Sequence, residues 1–273
     1  MIDTHIHLYS DDERKYPKKE DPLRPPAGKG TLEHLKQETA AVGVTGAVLV
    51  QTGSAYSYDN RLVADTVSRN SDWLAAVVTL DPRDPASVQQ LRRLAGIPGV
   101  RGWRMPCKSP LDTEVTRKMW QTCRELGLVV CPLLGWQLAD ELHDLLLDFA
   151  DVLTAIDHCM YLNVREAPDY PTLRKLARLA ALPNTYAKLT MTVSGSEEGY
   201  PCRDMHPLVR QAVDMFGAHR CMTGFGFPTE VWQEKMSYAD HARIFTEELP
   251  LTQEERQQIL RKAPARLWFG ESE

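Results

Sequence analysis

Eight short apolar runs alternate with eight longer stretches whose apolar side chains recur every three or four positions, and this alternation constrains the fold more than any other feature of the chain. The runs are Ile2–Leu8, Ala47–Gln51, Leu74–Leu80, Val100–Met105, Leu128–Leu134, Val152–Ile156, Thr185–Thr190 and Arg220–Thr223. Between and after them, helical spacing covers Leu32–Val42, Asp59–Arg69, Pro85–Leu94, Thr113–Leu126, Leu138–Phe149, Tyr170–Leu179, His206–Phe216 and Tyr238–Glu248. Strands that are apolar nearly throughout are buried on both faces, as in a parallel sheet covered by helices. Eight such units in 273 residues predict a closed (β/α)8 TIM barrel rather than an open doubly wound sheet. Gly43, Gly127 and Gly217 each follow a helical stretch, where a left-handed cap is expected. Thr252-Gln-Glu-Glu255 reads as a capping box opening an extra C-terminal helix through Lys262, packed outside the barrel on Leu260, Leu267 and Trp268. No domain boundary is visible, so residues 1–273 are expected to form a single domain.

Hydrophobic residues make up 43% of the chain, enough for a large core, and the formal net charge is −5. That balance excludes an electrostatically driven nucleic-acid partner. Lys15, Lys18, Lys19 and Arg24 are interspersed with Asp11, Asp12, Glu13, Glu20 and Asp21, the pattern of a solvated loop. The six cysteines include no Cys-x-x-Cys pair, and several lie in apolar runs, so they read as reduced thiols. No apolar stretch suits a signal peptide or a membrane span. A cytoplasmic protein with a small-molecule substrate is expected; assembly into a homo-oligomer stays open.

His5 and His7 stand two residues apart in the first run, and strand alternation puts both imidazoles on one face. Two imidazoles at one strand end can move protons or hold a metal. Ser10 to Gly30 follows, an irregular segment with Pro22, Pro25 and Pro26 near its end. In a barrel it lies at the catalytic mouth, either as a cover for substrate or as a surface loop.

The stretches DTHIHL (3–8), YDN (58–60), GVRGWRMP (99–106), AIDHCM (155–160), NTYAKLT (184–190) and LTQEERQQILRKAPARLWF (251–269) occur in the order found in the amidohydrolase superfamily. The chain resembles its amidohydrolase-related branch, which contains lactonases such as 2-pyrone-4,6-dicarboxylate lactonase, and decarboxylases. The resemblance implies that His5 and His7 match the first-strand pair and His158 the histidine ending the sixth strand, as the catalytic set. It implies that Arg104 contacts a substrate carboxylate, a role suited to a bidentate guanidinium; a structural salt bridge is the other reading. Lys188 matches a family lysine, on one face with Tyr186 and Thr190, and serves either a substrate anion or an internal ion pair. Gln51, Tyr161 and Glu230 complete the expected substrate-binding set, with Trp136 and Trp232 where pocket walls fall. Cys159 reads as packing rather than as a nucleophile.

The eighth strand departs from the family. Where the family carries Gly-Ser-Asp-(Trp or Phe)-Pro, this chain reads Gly224-Phe-Gly-Phe-Pro228, and Gly226 takes the place of the aspartate that activates water. At the fifth strand Val130-Cys-Pro-Leu-Leu134 lacks the histidine of metal-dependent relatives. His5, His7 and His158 could hold zinc, but the missing carboxylate favours metal-independent machinery and no cofactor. His158 is the first candidate for the missing base and Glu230 the second. The expectation is a lactonase-like hydrolase acting on a small carboxylated or cyclic substrate. A lyase, isomerase or cyclase on the same barrel is the alternative, and a catalytically silent ligand-binding barrel is the other.

Overall fold

The computed structural model describes residues 1–232 and 236–271. Strands β1 (Ile2–Ile6), β2 (Gly46–Val50), β3 (Leu74–Thr79), β4 (Val100–Pro106), β5 (Val129–Leu133), β6 (Thr154–Ile156), β7 (Thr185–Lys188) and β8 (Cys221–Met222) form one parallel sheet in sequence order. Thr4 N–H bonds Thr223 O at 2.9 Å and His7 N–H bonds Phe227 O at 3.0 Å, which brings the last strand back to the first. The result is the (β/α)8 barrel that the alternation predicts. Gly224 makes this seam: a Cβ there would lie 2.7 Å from Asp3 Oδ1 and 2.9 Å from His5 Cβ, so only glycine lets the two segments meet. Asp3 spans the seam, accepting from His5 N–H at 3.0 Å, Phe225 N–H at 3.3 Å and the Tyr238 hydroxyl at 2.8 Å.

Helices α1 (Leu32–Val42), α2 (Gly53–Tyr56), α3 (Arg61–Ser68), α4 (Ala86–Ala95), α5 (Glu114–Leu126), α6 (Ala139–Asp148), α7 (Pro171–Ala180), α8 (His206–Phe216), α9 (Thr229–Trp232), α10 (Tyr238–Arg243) and α11 (Gln253–Gln257) follow or separate the strands. Their apolar stripes and the outer faces of the strands make the larger core, from Leu35 on α1 to Val209 on α8. Gly43 and Gly127 take the left-handed cap that ends α1 and α5. Gly217 has positive φ (74°) but extended ψ (141°), a different exit from the one expected. None of the described helices is long and apolar enough to cross a membrane.

The barrel interior is graded from bottom to top. Val48, Ala75, Val129 and Met222 form the lower layer together with Trp268 and Leu267, which come from the C-terminal segment. The Thr252–Glu255 capping box is present and opens α11. The expectation that this segment packs only outside the barrel is corrected: Leu260 joins the outer core, whereas Trp268 enters the barrel floor and donates its indole N–H to Met222 Sδ at 3.3 Å. Gly102 makes room, since a Cβ there would approach Val129 O to 2.7 Å and Trp268 to 3.2 Å. Along β7, Tyr186 faces the apolar floor, Lys188 an ionic middle layer, and Thr190 the cleft above.

Candidate active site

The C-terminal ends of the strands surround a cleft of about 580 Å³ lined by His5, His7, Arg104 and His158, with Leu133, Phe227, Trp232 and Tyr161 among its walls. His5 on β1 and His7 just past its end both reach the cleft, and the pairing of β1 with β2 shifts register between Asp3 and Ile6. Beneath the cleft lies a charge network built on the fully buried Asp157 and Lys188. Asp157 accepts from Arg104 Nε at 2.7 Å and from Lys188 Nζ at 2.7 Å. Lys188 Nζ also donates to His5 Nδ1 at 2.8 Å. That bond fixes the tautomers that follow: His5 Nε2–H donates to His7 Nε2 at 3.2 Å, and His7 Nδ1–H to Val50 O at 2.9 Å. His158 is set independently, its Nδ1 bonded to Thr190 Oγ1 at 2.7 Å and its Nε2 receiving a long bond from Arg104 Nη2 at 3.3 Å.

The electrostatics follow from burial. Burial would push the Asp157 carboxyl up, but Lys188 and Arg104 overrule it and hold it well below the usual carboxylate range. Burial, reinforced by Lys188, holds His5 well below an ordinary imidazole. Burial lowers His7 to about 3, with Arg104 adding to it. His158 is also lowered to about 3, by burial first; Asp157 pulls the other way, and Arg104 and Lys188 lower it further. Three neutral imidazoles therefore stand over two buried cations that share one carboxylate.

His158 and Tyr161 belong to an unusual turn. His158 (φ 54°), Cys159 (φ 43°), Met160 (φ 56°) and Tyr161 (φ 61°) are consecutive left-handed residues, none of them glycine. Each costs about 1–2 kcal/mol, and such strain persists only where the surroundings dictate it. Here the Asp157 ion pairs hold one flank. Cys159 and Met160 are buried in the core, and Cys159 Sγ bonds Lys188 O at 3.3 Å. The Tyr161 ring stacks on His158 with centroids 5.2 Å apart.

The structure brings five of the eight expected residues to the cleft: His5, His7, His158, Arg104 and Tyr161. Lys188 lies directly below, fully buried. Gln51 is buried behind the wall, its amide donating to Ser57 O at 2.9 Å and Asp59 O at 3.2 Å. Glu230 is not among the lining residues; it pairs with Lys29 at 3.0 Å. Trp232, two residues on in the same helical turn, takes the cleft side, and a two-residue step in a helix turns a side chain to a different face. Burial raises the Cys159 thiol well above its usual range, consistent with packing. No residue of 10–30 lines the cleft; Tyr16 instead packs with Tyr9, Ala55 and Tyr56 behind its wall. Gly226 does line the cleft, with φ 71°. Sequence reasoning missed Asp157 and Thr190. The signal for Asp157 was present: an acid in an apolar strand end has to be paired.

The same residues bear on a metal. His5, Asp157 and His158 offer ligand atoms all within 4.8 Å of one another. The His5 and His7 Nε2 atoms are 3.2 Å apart, close to the roughly 3.3 Å subtended by two nitrogens on one tetrahedral zinc. The spacing fits, but the charges do not. Both Asp157 oxygens are engaged by cations, Lys188 approaches His5 and Arg104 approaches His158, and no carboxylate lines the cleft among the described residues.

The (β/α)8 barrel and its imidazole cluster above a charged layer define a TIM-barrel enzyme of the hydrolase type. The sequence profile of the amidohydrolase family matches residues 2–270, and the chain belongs to that family. Among curated proteins, none matches. Among solved structures the chain is similar to a protein of Pseudomonas putida named as a 2-pyrone-4,6-dicarboxylic acid hydrolase (22% identity, 100% of this chain and 98% of that one, TM-score 0.79). It is also similar to a protein of the same description from Acinetobacter baumannii with citric acid bound (20%, 98% of each chain, TM-score 0.79). A third is an amidohydrolase of Burkholderia multivorans with bound zinc (19%, 98% of each chain, TM-score 0.79).

Proposed function

We propose that this amidohydrolase opens a small cyclic ester bearing a carboxylate, without a tightly bound metal. One observation carries the reading: Arg104 and Lys188 share a single buried carboxylate, Asp157, beneath a cleft with no acidic residue among its described lining. Arg104, the one of these two cations that lines the cleft, favours an anion above it. Arg104 Nε is committed to Asp157 and Nη2 also reaches His158, so Nη1 and the second Nη2 hydrogen are left to receive the carboxylate.

His158 supplies the base. Its tautomer is fixed by Arg104, which can only donate: the Nε2 lone pair faces Arg104, and Nδ1–H donates to Thr190 Oγ1. In the free enzyme that imidazole is weakly basic. A substrate carboxylate that neutralises Arg104 removes one of the charges that depress it, and so strengthens the base when it is needed. A water proton passes to Nε2 as the water oxygen bonds to the ester carbonyl carbon. The C–O ring bond then breaks, and the leaving oxygen takes the proton back. His5 and His7, held neutral, serve as N–H donors and not as imidazolium near the developing oxyanion.

A non-hydrolytic lyase, isomerase or cyclase reaction is the second reading, favoured by Gly226 in the position where the family's acid activates water. Turnover in H2(18)O separates the two: one heavy oxygen in the product carboxylate is expected, and unlabelled product would overturn hydrolysis. Full activity after chelation, with less than a tenth of an equivalent of metal by elemental analysis, is expected. Activity that disappears and returns with zinc would overturn the metal-free reading.

A further inference from the structure

Four cleft-side polar groups lack a hydrogen bond of good geometry. The Tyr9 hydroxyl, Ser54 Oγ, Trp232 Nε1 and Thr79 Oγ1 are all buried, and Ser54 and Trp232 stand beside the Tyr9 hydroxyl without closing a well-aligned bond to it. Ser54, Thr79 and Trp232 line the cleft, and Tyr9, 4% exposed, stands behind them. Burial raises the Tyr9 phenol, while Ser54 and Trp232 beside it pull the other way. Buried polar atoms are nearly always satisfied, and a cluster that is not marks a place where something else supplies the bonds. The four form an arc around the barrel. Trp232 follows β8, Tyr9 follows β1, Ser54 follows β2, and Thr79 ends β3. The arc stops at Arg104, which pairs in register with Thr79 across β3 and β4. At its other end the Trp232 ring lies 5.1 Å from His7. None of these groups is charged, and the arc contains no cation.

We propose that this arc is a subsite for uncharged oxygen atoms, so that the cleft takes a mono-anion whose remaining polar groups are hydroxyls or carbonyls. This rests on Arg104 receiving the ligand's one carboxylate, as argued above. A hydroxyl satisfies both the indole donor and a hydroxyl acceptor. A second carboxylate would lose its hydration against neutral groups without gaining a counter-charge. The substrate class therefore differs from the dicarboxylate in the names of two structural neighbours.

Calorimetric titration of the full chain with benzoate, 3-hydroxybenzoate and isophthalate tests this. The hydroxy acid should bind about 10-fold tighter than benzoate, and isophthalate more weakly than either. In Tyr9→Phe and Trp232→Phe the ratio of hydroxy acid to benzoate should fall to about one. Without ligand, Tyr9→Phe should melt no lower than the parent, because its hydroxyl has no well-aligned bond to lose. Tightest binding by isophthalate, a ratio that survives both substitutions, or a lowered melting temperature in Tyr9→Phe would each overturn the subsite. If none of the three acids binds, the carboxylate role of Arg104 falls, and the melting comparison still decides the subsite.

Discussion

Asp157 holds the most consequential bonds in the molecule. It is fully buried, and its two oxygens fix the side chains of Arg104 and Lys188. Asp157→Asn keeps the shape but leaves two cations without a counter-charge. Breaking such a pair costs about 3–5 kcal/mol, and urea denaturation should show a loss of that size. His158→Gln should lower kcat by about 10²–10⁴-fold with the fold intact. The pH profile is the sharper check: with the free imidazole at about 3, kcat/KM should show no acid limb between pH 6 and 7, where an ordinary histidine would put one. His5 and His7 were legible from strand alternation, whereas His158, Arg104 and Lys188 were legible through the resemblance to the amidohydrolase family. Glu230 was not, since a four-residue helix gives no phase from which to tell its faces apart.

At the level of elements, the strands and major helices were legible because each repeats one pattern eight times. The turn from His158 to Tyr161 was invisible, for it carries none of the glycine or asparagine that usually announces a left-handed backbone. Tyr161→Gly separates conformation from contact there. Glycine meets no penalty at φ 61°, so stability should hold or rise by about 1 kcal/mol, while loss of the ring stacked on His158 should raise KM. A fall in melting temperature would show that the turn is not strained. Gly226 offers the converse case. At φ 71° an aspartate pays a modest backbone cost, Asp and Asn being the side chains that tolerate this region best. If the cleft keeps hydrolase geometry, Gly226→Asp should increase ester hydrolysis.

For the whole molecule, acid stability depends on which groups were buried neutral. His7, His158 and His241 fall to about 3, 3 and 4, in each case chiefly through burial. Unfolding lets them bind protons near pH 6.5, so the stability their burial carries is complete above that pH and is lost as the pH falls toward 3. Asp3 acts in reverse. Burial raises it to about 6 against the bonds from His5 and Tyr238, so it favours the fold as the pH drops from 6 toward 4. Three imidazoles outweigh one carboxyl, and the melting temperature should fall steadily between pH 6.5 and 4. A rise over that interval would show that the histidines are charged in the fold.

The floor of the ring has a consequence for how the protein is made. A ribosome produces all eight strands before it reaches the indole at 268 that fills their lower interior. Until that residue emerges, the nascent ring is hollow at its base and exposes branched side chains meant to be enclosed. Messages truncated before codon 264 should yield an aggregating product, although every strand and every imidazole of the cleft is already encoded.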